Sequence, residues 1–491
     1  MERIQTIERG SSKLAIKVGF WYVVSTFLLR SIAFITTPFF SRLLTKSDYG
    51  EFSNYASWQS TLLIITGVEL YNSLSRAYYD YKDNYDQFVS SVAILSCITT
   101  SFFYVLFLLG KSWILKIVSI PEQFIHIMFV TLLFSSCKTI FLTKERTLYR
   151  YKAVVTVSAI DTLIPTAISL FLVARASEMM RLQARIYGFY LPSAMVGLVC
   201  MAIILIKGKS FRIQHCVYAL KLSLPLLVHY LTIYLLTSTN IIIAKNIGGA
   251  EVGAIASMAT SVTHMLTILF QAVSSTLTTW LMDNLEGRNY EKIKKEIVFY
   301  LFGLAIVSIG VILLAPEVIL ILGGEKYHSA IPLIPGFIAA AMIQSLATVF
   351  TIILTYEKKV VATGILTGIM AAVSIAAKIW LMPVFGIQCL PWINIAISCV
   401  LFIMSYFLTR RAGYAKVINL WPYLFSIGAT LAMTFGSAVL YQHRTIRLSI
   451  CIIGFLGAVI IVMVKWKTIK KMLQRKKGRP QEPHSPSQGN E

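Results

Sequence analysis

The chain has 491 residues, of which 56% are hydrophobic and 14% charged, with a formal net charge of +23 and a mean hydropathy of +0.71. Soluble domains carry about 25% charged residues, so this composition excludes a soluble globular protein and indicates an integral membrane protein. The basic excess is typical of loops that contact anionic lipid, and we expect no nucleic acid partner.

Apolar stretches long enough to cross a bilayer recur along the whole chain. A hydrocarbon core of roughly 30 Å needs about 20 residues of α-helix, and these stretches are too long and too uniformly apolar for the strands of a β-barrel. The sequence therefore predicts an all-α bundle of fourteen transmembrane helices. The approximate spans are 16–40, 52–74, 87–110, 122–143, 153–174, 186–206, 222–244, 252–281, 296–315, 330–355, 360–381, 386–408, 418–440 and 446–466.

The basic residues predict how the bundle is oriented. Cytoplasmic loops collect Lys and Arg, and most of the 45 basic residues fall in the alternate segments that share the side of the N-terminus. We therefore expect both termini in the cytoplasm, with the N-terminal segment 1–15 and a basic, disordered tail at 467–491 that contacts membrane lipid. The first apolar stretch is too long for the core of a signal peptide, so we expect it to remain as the first helix.

One short phrase occurs twice in the chain. SDYGEFSNYAS (Ser47–Ser57) and AEVGAIASMAT (Ala250–Thr260) each place an acidic residue two positions before a glycine and then continue with small and apolar residues. Chance similarity between apolar sequences is the alternative explanation, but further pairs follow in the same order. They are LTKER at 142–146 with LTYEK at 354–358, YGFYLP at 187–192 with FGIQCLP at 385–391, and, more loosely, ILKIVSIPEQF from Ile114 with ILILGGEKYHS from Ile319.

This series predicts an internal repeat of six helices. Because six is even, both units enter the membrane in the same orientation and are related by an axis along the membrane normal. We predict a first lobe at 16–210, a second lobe at 211–410 and two further helices within 411–466. Two such lobes leave a central cleft, and rocking one against the other gives alternating access.

Three basic residues fall inside predicted spans. A charge near the bilayer centre costs about 2.5 to 3.5 kcal/mol on insertion scales, so it usually faces a partner or a wet cavity. Arg30 lies near the middle of span 1, on a helical face of small and polar residues. It either binds the transported molecule or forms a structural ion pair with Asp161 or Glu69. Lys378 lies close enough to a span end to extend to the membrane surface, and Lys138 is open to the same interpretation.

Two carboxylates are candidates for coupling to an ion gradient. Asp161 lies deep in span 5, and Glu69 shares a predicted face of span 2 with Thr66, Asn72 and Arg76. Each carboxylate either exchanges H⁺ or Na⁺ during transport or serves as a fixed counter-ion.

The predicted second lobe carries neutral polar side chains within its spans. They are Asn240, His264, Gln271 and Gln344, which we assign to the cavity. An interhelical hydrogen bond is the simpler role for His264, with a proton relay as the alternative. The cysteines and histidines show no metal-ligand spacing, and the sequence shows neither a phosphate-binding loop nor a hydrolase motif. We expect transport and no cofactor beyond a coupling H⁺ or Na⁺.

Several stretches resemble the Wzx-type polysaccharide flippases of the multidrug/oligosaccharidyl-lipid/polysaccharide (MOP) exporter superfamily. They are SRLLTKSDYGEFSNYASW after the first helix, GVELYNSLSRAYYDY at the end of the second, IGGAEVGAIASMATSV at the start of the second lobe and MPVFGIQ before span 12. The resemblance covers essentially the whole chain and implies a fold like that of the MATE transporters. This chain departs from the family pattern at Ala254–Ala256 and at Gln388–Leu390.

The resemblance implies a bacterial inner-membrane protein that turns an undecaprenyl-diphosphate-linked oligosaccharide, such as an O-antigen repeat, towards the outer leaflet. It also implies a polysaccharide polymerase and a chain-length regulator as partners. Arginine binds phosphate oxygens through a rigid fork, so we assign Arg30 to the diphosphate or sugar acids in the cleft and Arg76 to capture at the cytoplasmic side. Lys138 is a further candidate for the substrate. A multidrug antiporter of the same superfamily and a polytopic polysaccharide polymerase, which is an enzyme, remain the alternatives.

Overall fold

The computed structural model describes residues 12–357 and 359–454, and this part of the chain is helical with no β-strand. We number its long helices α1 to α14 in chain order. They are α1 (Ser12–Leu43), α2 (Lys46–Gly67), α3 (Tyr85–Leu109), α4 (Glu122–Thr147), α5 (Tyr151–Arg175), α6 (Arg181–Gly208), α7 (Ile213–Gly248), α8 (Ala250–Glu286), α9 (Tyr290–Leu313), α10 (Ile334–Tyr356), α11 (Val360–Phe385), α12 (Cys389–Arg411), α13 (Leu420–Leu440) and the described part of α14, 444–454.

The prediction of an all-α membrane protein is confirmed. The helices α1 to α13 overlap the first thirteen predicted spans, and α14 begins where the fourteenth was expected. By length and apolar composition alone, ten segments within the described ranges qualify as membrane-crossing, one of which contains most of α11 and all of α12. The number fourteen therefore stays a prediction. The segment 1–11, the rest of the last span and the tail 467–491 lie outside the described residues.

The helices form the two predicted lobes. In the first lobe α6 packs against α5 and α4, α4 against α3, and α1 against α5. In the second lobe α10 packs against α12 and α8, and α7 against α11, while α13 packs on α9 and α10. The helix α10 is the core of its lobe, since 78% of its most apolar window is buried compared with 22% for α5. The lobe boundaries at 210 and 410 remain predictions.

A pair of short helices shows the internal repeat directly. Lys111–Val118 follows α3 and Ala315–Leu322 follows α9, and each has eight residues. These are equivalent places in the two six-helix units, and the loosely matching sequences from Ile114 and Ile319 begin within them. The parallel pseudo-repeat therefore extends to connecting elements as well as to the long helices.

The start of α14 is fixed to the second lobe by a buried ion pair. Arg447 is 2% exposed and donates to both carboxylate oxygens of Glu317, at 2.5 and 2.6 Å, and to the Leu313 carbonyl at 2.5 Å. Such bidentate pairs combine charge with defined geometry. The pair fixes α14 to the end of α9 and to the short helix that follows it.

Candidate functional site

A cavity of about 910 Å³ lies between the two lobes. Its walls come from α2, α3 and α4 of the first lobe and from α7, α8, α10 and α12 of the second. Hydroxyl and amide groups alternate with aliphatic side chains along these walls. Glu69 is the one carboxylate among the described lining residues, and no Lys or Arg occurs among them. The described lining therefore mixes neutral polar groups with apolar ones and is almost uncharged.

The four neutral polar residues assigned to the cavity from the sequence are brought together there. Asn240, His264, Gln271 and Gln344 all line it. The Asn394 amide of α12 donates to Asn240 Oδ1 at 3.3 Å, so α7 and α12 are joined at the cavity wall. Their part in binding a substrate stays a prediction.

Glu69 lies at a sharp break in the chain directly after α2. Val68 and Glu69 have φ angles of +50° and +53°, in the left-handed region that a β-branched residue rarely adopts. The carboxylate is 5% exposed, and the Asn72 amide donates to it at 2.8 Å. The predicted continuous helical face from Thr66 to Arg76 is therefore wrong, because the chain restarts in a new direction and carries Glu69 to the cavity wall.

Lys138 and Asp161 form an ion pair inside the first lobe. Lys138 Nζ lies 2.7 Å from Asp161 Oδ1 and 2.8 Å from Ser193 Oγ, and the Ser193 hydroxyl donates to the same carboxylate oxygen at 2.6 Å. The two charged side chains are 12% and 22% exposed. Neither is among the described lining residues of the cavity. The geometry supports the counter-ion alternative for Asp161 and joins α4, α5 and α6.

Arg76 lies on the surface, on the short helix Ser73–Asp80. Its side chain is 70% exposed and pairs with Asp80 at 3.2 Å. The Tyr218 hydroxyl of α7 donates to the same Asp80 oxygen at 2.5 Å. This hydrogen bond, with the charge of Arg76, holds the pKa of Asp80 below its usual value. Arg76 is therefore accessible to a ligand at the end of the bundle that contains the N-terminus, outside the cavity.

The remaining two basic residues predicted within spans are Arg30 and Lys378. The backbone of Arg30 is part of α1, but its side chain lies outside the described residues. The expectation that Lys378 extends to the membrane surface is wrong. Lys378 is 0% exposed, because α7 and α12 cover the face of α11 on which it lies, and its Nζ lies 3.1 Å from Thr239 Oγ1.

The phrase that occurs twice lies where the lobes meet. The glycine of its first copy, Gly50, contacts the start of α8 so closely that a Cβ would lie 1.8 Å from the Ala250 carbonyl oxygen. Each acidic residue lies in the first turn of its helix, where it favours the positive end of the helix dipole. Asp48 also takes part in the cap of α2, since its backbone N–H donates to Thr45 Oγ1 at 3.0 Å. The phrase thus encodes two helix starts, and the first of them packs closely against the second.

Charged side chains reinforce this contact. Lys245 at the end of α7 pairs with Glu51 of α2 at 3.2 Å and donates to the Ser119 carbonyl. Lys326 of the second lobe donates to the Leu44 carbonyl of the first at 2.7 Å. These residues all lie at the end of the bundle opposite the N-terminus, which we call the closed end. Sequence reasoning found the phrase but missed Lys245 and Lys326, whose positions at helix ends are also typical of ordinary surface lysines.

Two lobes of helices around a central cavity define the class of the protein, which is a multi-pass membrane protein with the fold of the MOP transporters. The chain belongs to the family described as polysaccharide biosynthesis protein, whose model matches residues 15–281. A comparison with curated proteins finds no similar sequence. The resemblance to the superfamily noted from the sequence is confirmed.

Solved structures show the same fold at low sequence identity. A lipid II flippase MurJ in an inward closed conformation is 14% identical over 91% of this chain and 99% of its own, with a TM-score of 0.69. A MATE family multidrug resistance transporter in an inward-facing conformation is 14% identical over 79% and 95% of the chains, with a TM-score of 0.59. A MOP superfamily transporter from Pyrococcus furiosus is 13% identical over 82% and 97%, with a TM-score of 0.54.

Proposed function

We propose that the protein is a flippase that moves undecaprenyl-diphosphate-linked oligosaccharide repeats, of the O-antigen, capsule or exopolysaccharide type, across the bacterial cytoplasmic membrane by alternating access. The observation that carries this proposal is the described lining of the cavity. Hydroxyls and side-chain amides both donate and accept hydrogen bonds, as sugar hydroxyls do. Family membership and the similarity in fold to a lipid II flippase support the same class of cargo.

The contacts between the lobes support loading from the cytoplasm. Gly50, Lys245 and Lys326 hold the lobes together at the closed end, opposite the N-terminus. With both termini in the cytoplasm, as the basic residues predict, this end faces outward. The cavity then receives the lipid-linked glycan from the side on which it is assembled, and separation of the closed end releases it outside. A polymerase and a chain-length regulator are the expected partners beyond that step.

The diphosphate needs a cation, and Arg30 is the residue that we assign to it. Lys138 already forms an ion pair with Asp161. Arg76 lies outside the cavity, where it could make the first contact with the lipid-linked glycan. We expect Arg30→Ala to lower glycan export at least tenfold, equivalent to about 1.4 kcal/mol of lost stabilisation, and Arg30→Lys to retain part of it. Export is measured as surface glycan per unit of protein in a strain that lacks the chromosomal copy.

Arg411→Ala is the matched control, because Arg411 is exposed at the end of α12. It should leave export unchanged. Full export by Arg30→Ala at normal protein levels would contradict the assignment of Arg30. Another basic residue would then have to bind the diphosphate.

A multidrug antiporter is the second candidate, and Glu69 is the observation in its favour. A buried carboxylate in an otherwise uncharged lining suits an organic cation, and the fold is also that of MATE transporters. If the protein is a flippase, Glu69→Gln lowers glycan export and leaves the efflux of ethidium from cells unchanged, and this is the result that we expect. Loss of ethidium efflux with normal glycan export would instead favour the antiporter.

A further inference from the structure

The second lobe contains a lysine that is enclosed by neutral groups. Lys378 lies on α11, seven residues before the end of the helix, or roughly 10 Å along its axis. It is completely buried. The acceptors around its Nζ are Thr239 Oγ1 at 3.1 Å and the Leu236 carbonyl at 3.5 Å, both on α7. Both acceptors are neutral.

The described residues of the elements around Lys378 supply no opposite charge. The helix α7 presents Thr239 and the Leu236 carbonyl, and α12 presents the Cys389 thiol, which is near enough to interact electrostatically with Lys378. The helix α10 and the turn Gly386–Gln388 contain no charged side chain. Of the groups that the structure describes near Lys378, none is a carboxylate.

The first lobe provides an internal comparison. Lys138 is also enclosed, but Asp161 lies 2.7 Å away and balances its charge. An enclosed ammonium with a carboxylate partner is a fixed ion pair, whereas burial without one disfavours the charged form of a lysine. Lysine, unlike arginine, is able to lose its proton under such conditions. Lys378 is therefore a group whose protonation depends on whether the surrounding helices stay closed over it.

The position of Lys378 connects it to the cavity. Thr239 donates its own hydroxyl proton to the Leu235 carbonyl at 2.7 Å, so its oxygen lone pairs are available to the lysine. The next residue, Asn240, lines the cavity, and so does Leu236. A change of charge at Lys378 therefore affects α7, which forms part of the cavity wall and lies between Lys378 and the cavity.

We propose that Lys378 is the proton-carrying group of the transport cycle. The ammonium loses one proton to water as α7 and α12 close over it and becomes the neutral amine, and it takes one proton from water when the contact between α7 and α11 opens. Binding and release on opposite sides of the membrane would couple export to a proton gradient. This proposal rests on the proposed transport function and names the residue through which that function is driven.

The test measures hydrogen–deuterium exchange of the α7 segment 236–248 in the full chain, reconstituted in lipid nanodiscs at a series of pH values from about 5.5 to 9. In the wild type we expect the protection of this segment, after correction for the intrinsic pH dependence of exchange, to change about threefold or more with one titration step. Lys378→Met and Lys378→Arg should both abolish the step, and the arginine variant retains a cation if the methionine variant does not fold. Cys389→Ser, which changes the neighbouring thiol, should leave the step in place.

Persistence of the step in Lys378→Arg together with its loss in Glu69→Gln would overturn the proposal and assign the proton to the carboxylate. A wild-type protein without any step would overturn it as well. The readout needs no glycan, so its outcome is separate from that of the proposed cargo. A Lys378-dependent step in a protein that exports no glycan would contradict the flippase function and leave the proton site in place.

Discussion

Replacing Gly50 with alanine is expected to lower glycan export by at least tenfold while the protein still inserts in the membrane. A Cβ at this position would lie 1.8 Å from the Ala250 carbonyl oxygen and 2.7 Å from its carbon, so α2 and α8 would have to separate. Overpacking of this kind costs about 1 to 3 kcal/mol. The cost falls on the conformation in which the lobes touch, so the population of that conformation decreases.

The matched control is Gly303→Ala, since nothing lies within 4 Å of a Cβ at Gly303 on α9. It should export normally, because alanine is the better helix former by about 1 kcal/mol. Hydrogen–deuterium exchange of residues 47–57 should increase in Gly50→Ala and stay unchanged in the control. Adding Ala250→Gly should give no rescue, because the contact is with the backbone. Unchanged exchange and unchanged export in Gly50→Ala would contradict the closed-end assignment.

Removing either partner of the Lys138–Asp161 pair is expected to destabilise the first lobe strongly. Breaking an ion pair that is mostly buried leaves one charge without its partner, and the cost is at most about 3 to 5 kcal/mol. We expect the loss of unfolding free energy in Lys138→Met to be in the lower part of this range, because Asp161 retains the Ser193 hydrogen bond. The double variant Lys138→Met/Asp161→Leu should recover most of the loss, because it removes both charges. Thermal unfolding in detergent measures these differences.

The same variants decide whether Lys138 has a second role. If its charge serves only Asp161, the double variant should regain glycan export along with stability. If Lys138 also contacts the cargo, the double variant should be stable and export little. Lys152→Met, at an exposed lysine near the start of α5, is the control for loss of a lysine. Equal stability of the single variants and the wild type would show that the pair contributes nothing to the lobe.

The helices were predictable because the bilayer fixes their length and their apolar composition. The lobes were predictable from repeated turn signals, of which the Gly50 phrase is the clearest. The break after α2 was not predictable, because Val68 and Glu69 are neither glycine nor proline and a β-branched residue normally argues against a left-handed backbone. The adjacent Gly67 indicates that a helix could end here, but it does not indicate that the next two residues turn left-handed.

The residues of the candidate site also differ in how far the sequence could predict their positions. Amides are conspicuous within apolar spans, so Asn240 and Gln344 were assigned to the cavity, where they lie. For Lys378 the sequence gives only the distance to the end of a helix, whereas burial depends on which neighbours cover that face. The Lys138–Asp161 pair joins helices that are adjacent only in the fold, and sequence spacing alone cannot choose between Arg30 and Lys138 as partner of Asp161.

The most direct test of the proposed function is the sidedness of the lipid-linked glycan in a strain that lacks this protein. A membrane-impermeant lectin or glycosidase is applied to intact spheroplasts and, in parallel, to inverted vesicles. A flippase predicts that single glycan repeats accumulate on the cytoplasmic face and return to the outer face on complementation with the wild type. Repeats that reach the outer face normally without this protein would contradict the flippase function, and if they stay unpolymerised there the protein acts in polymerisation.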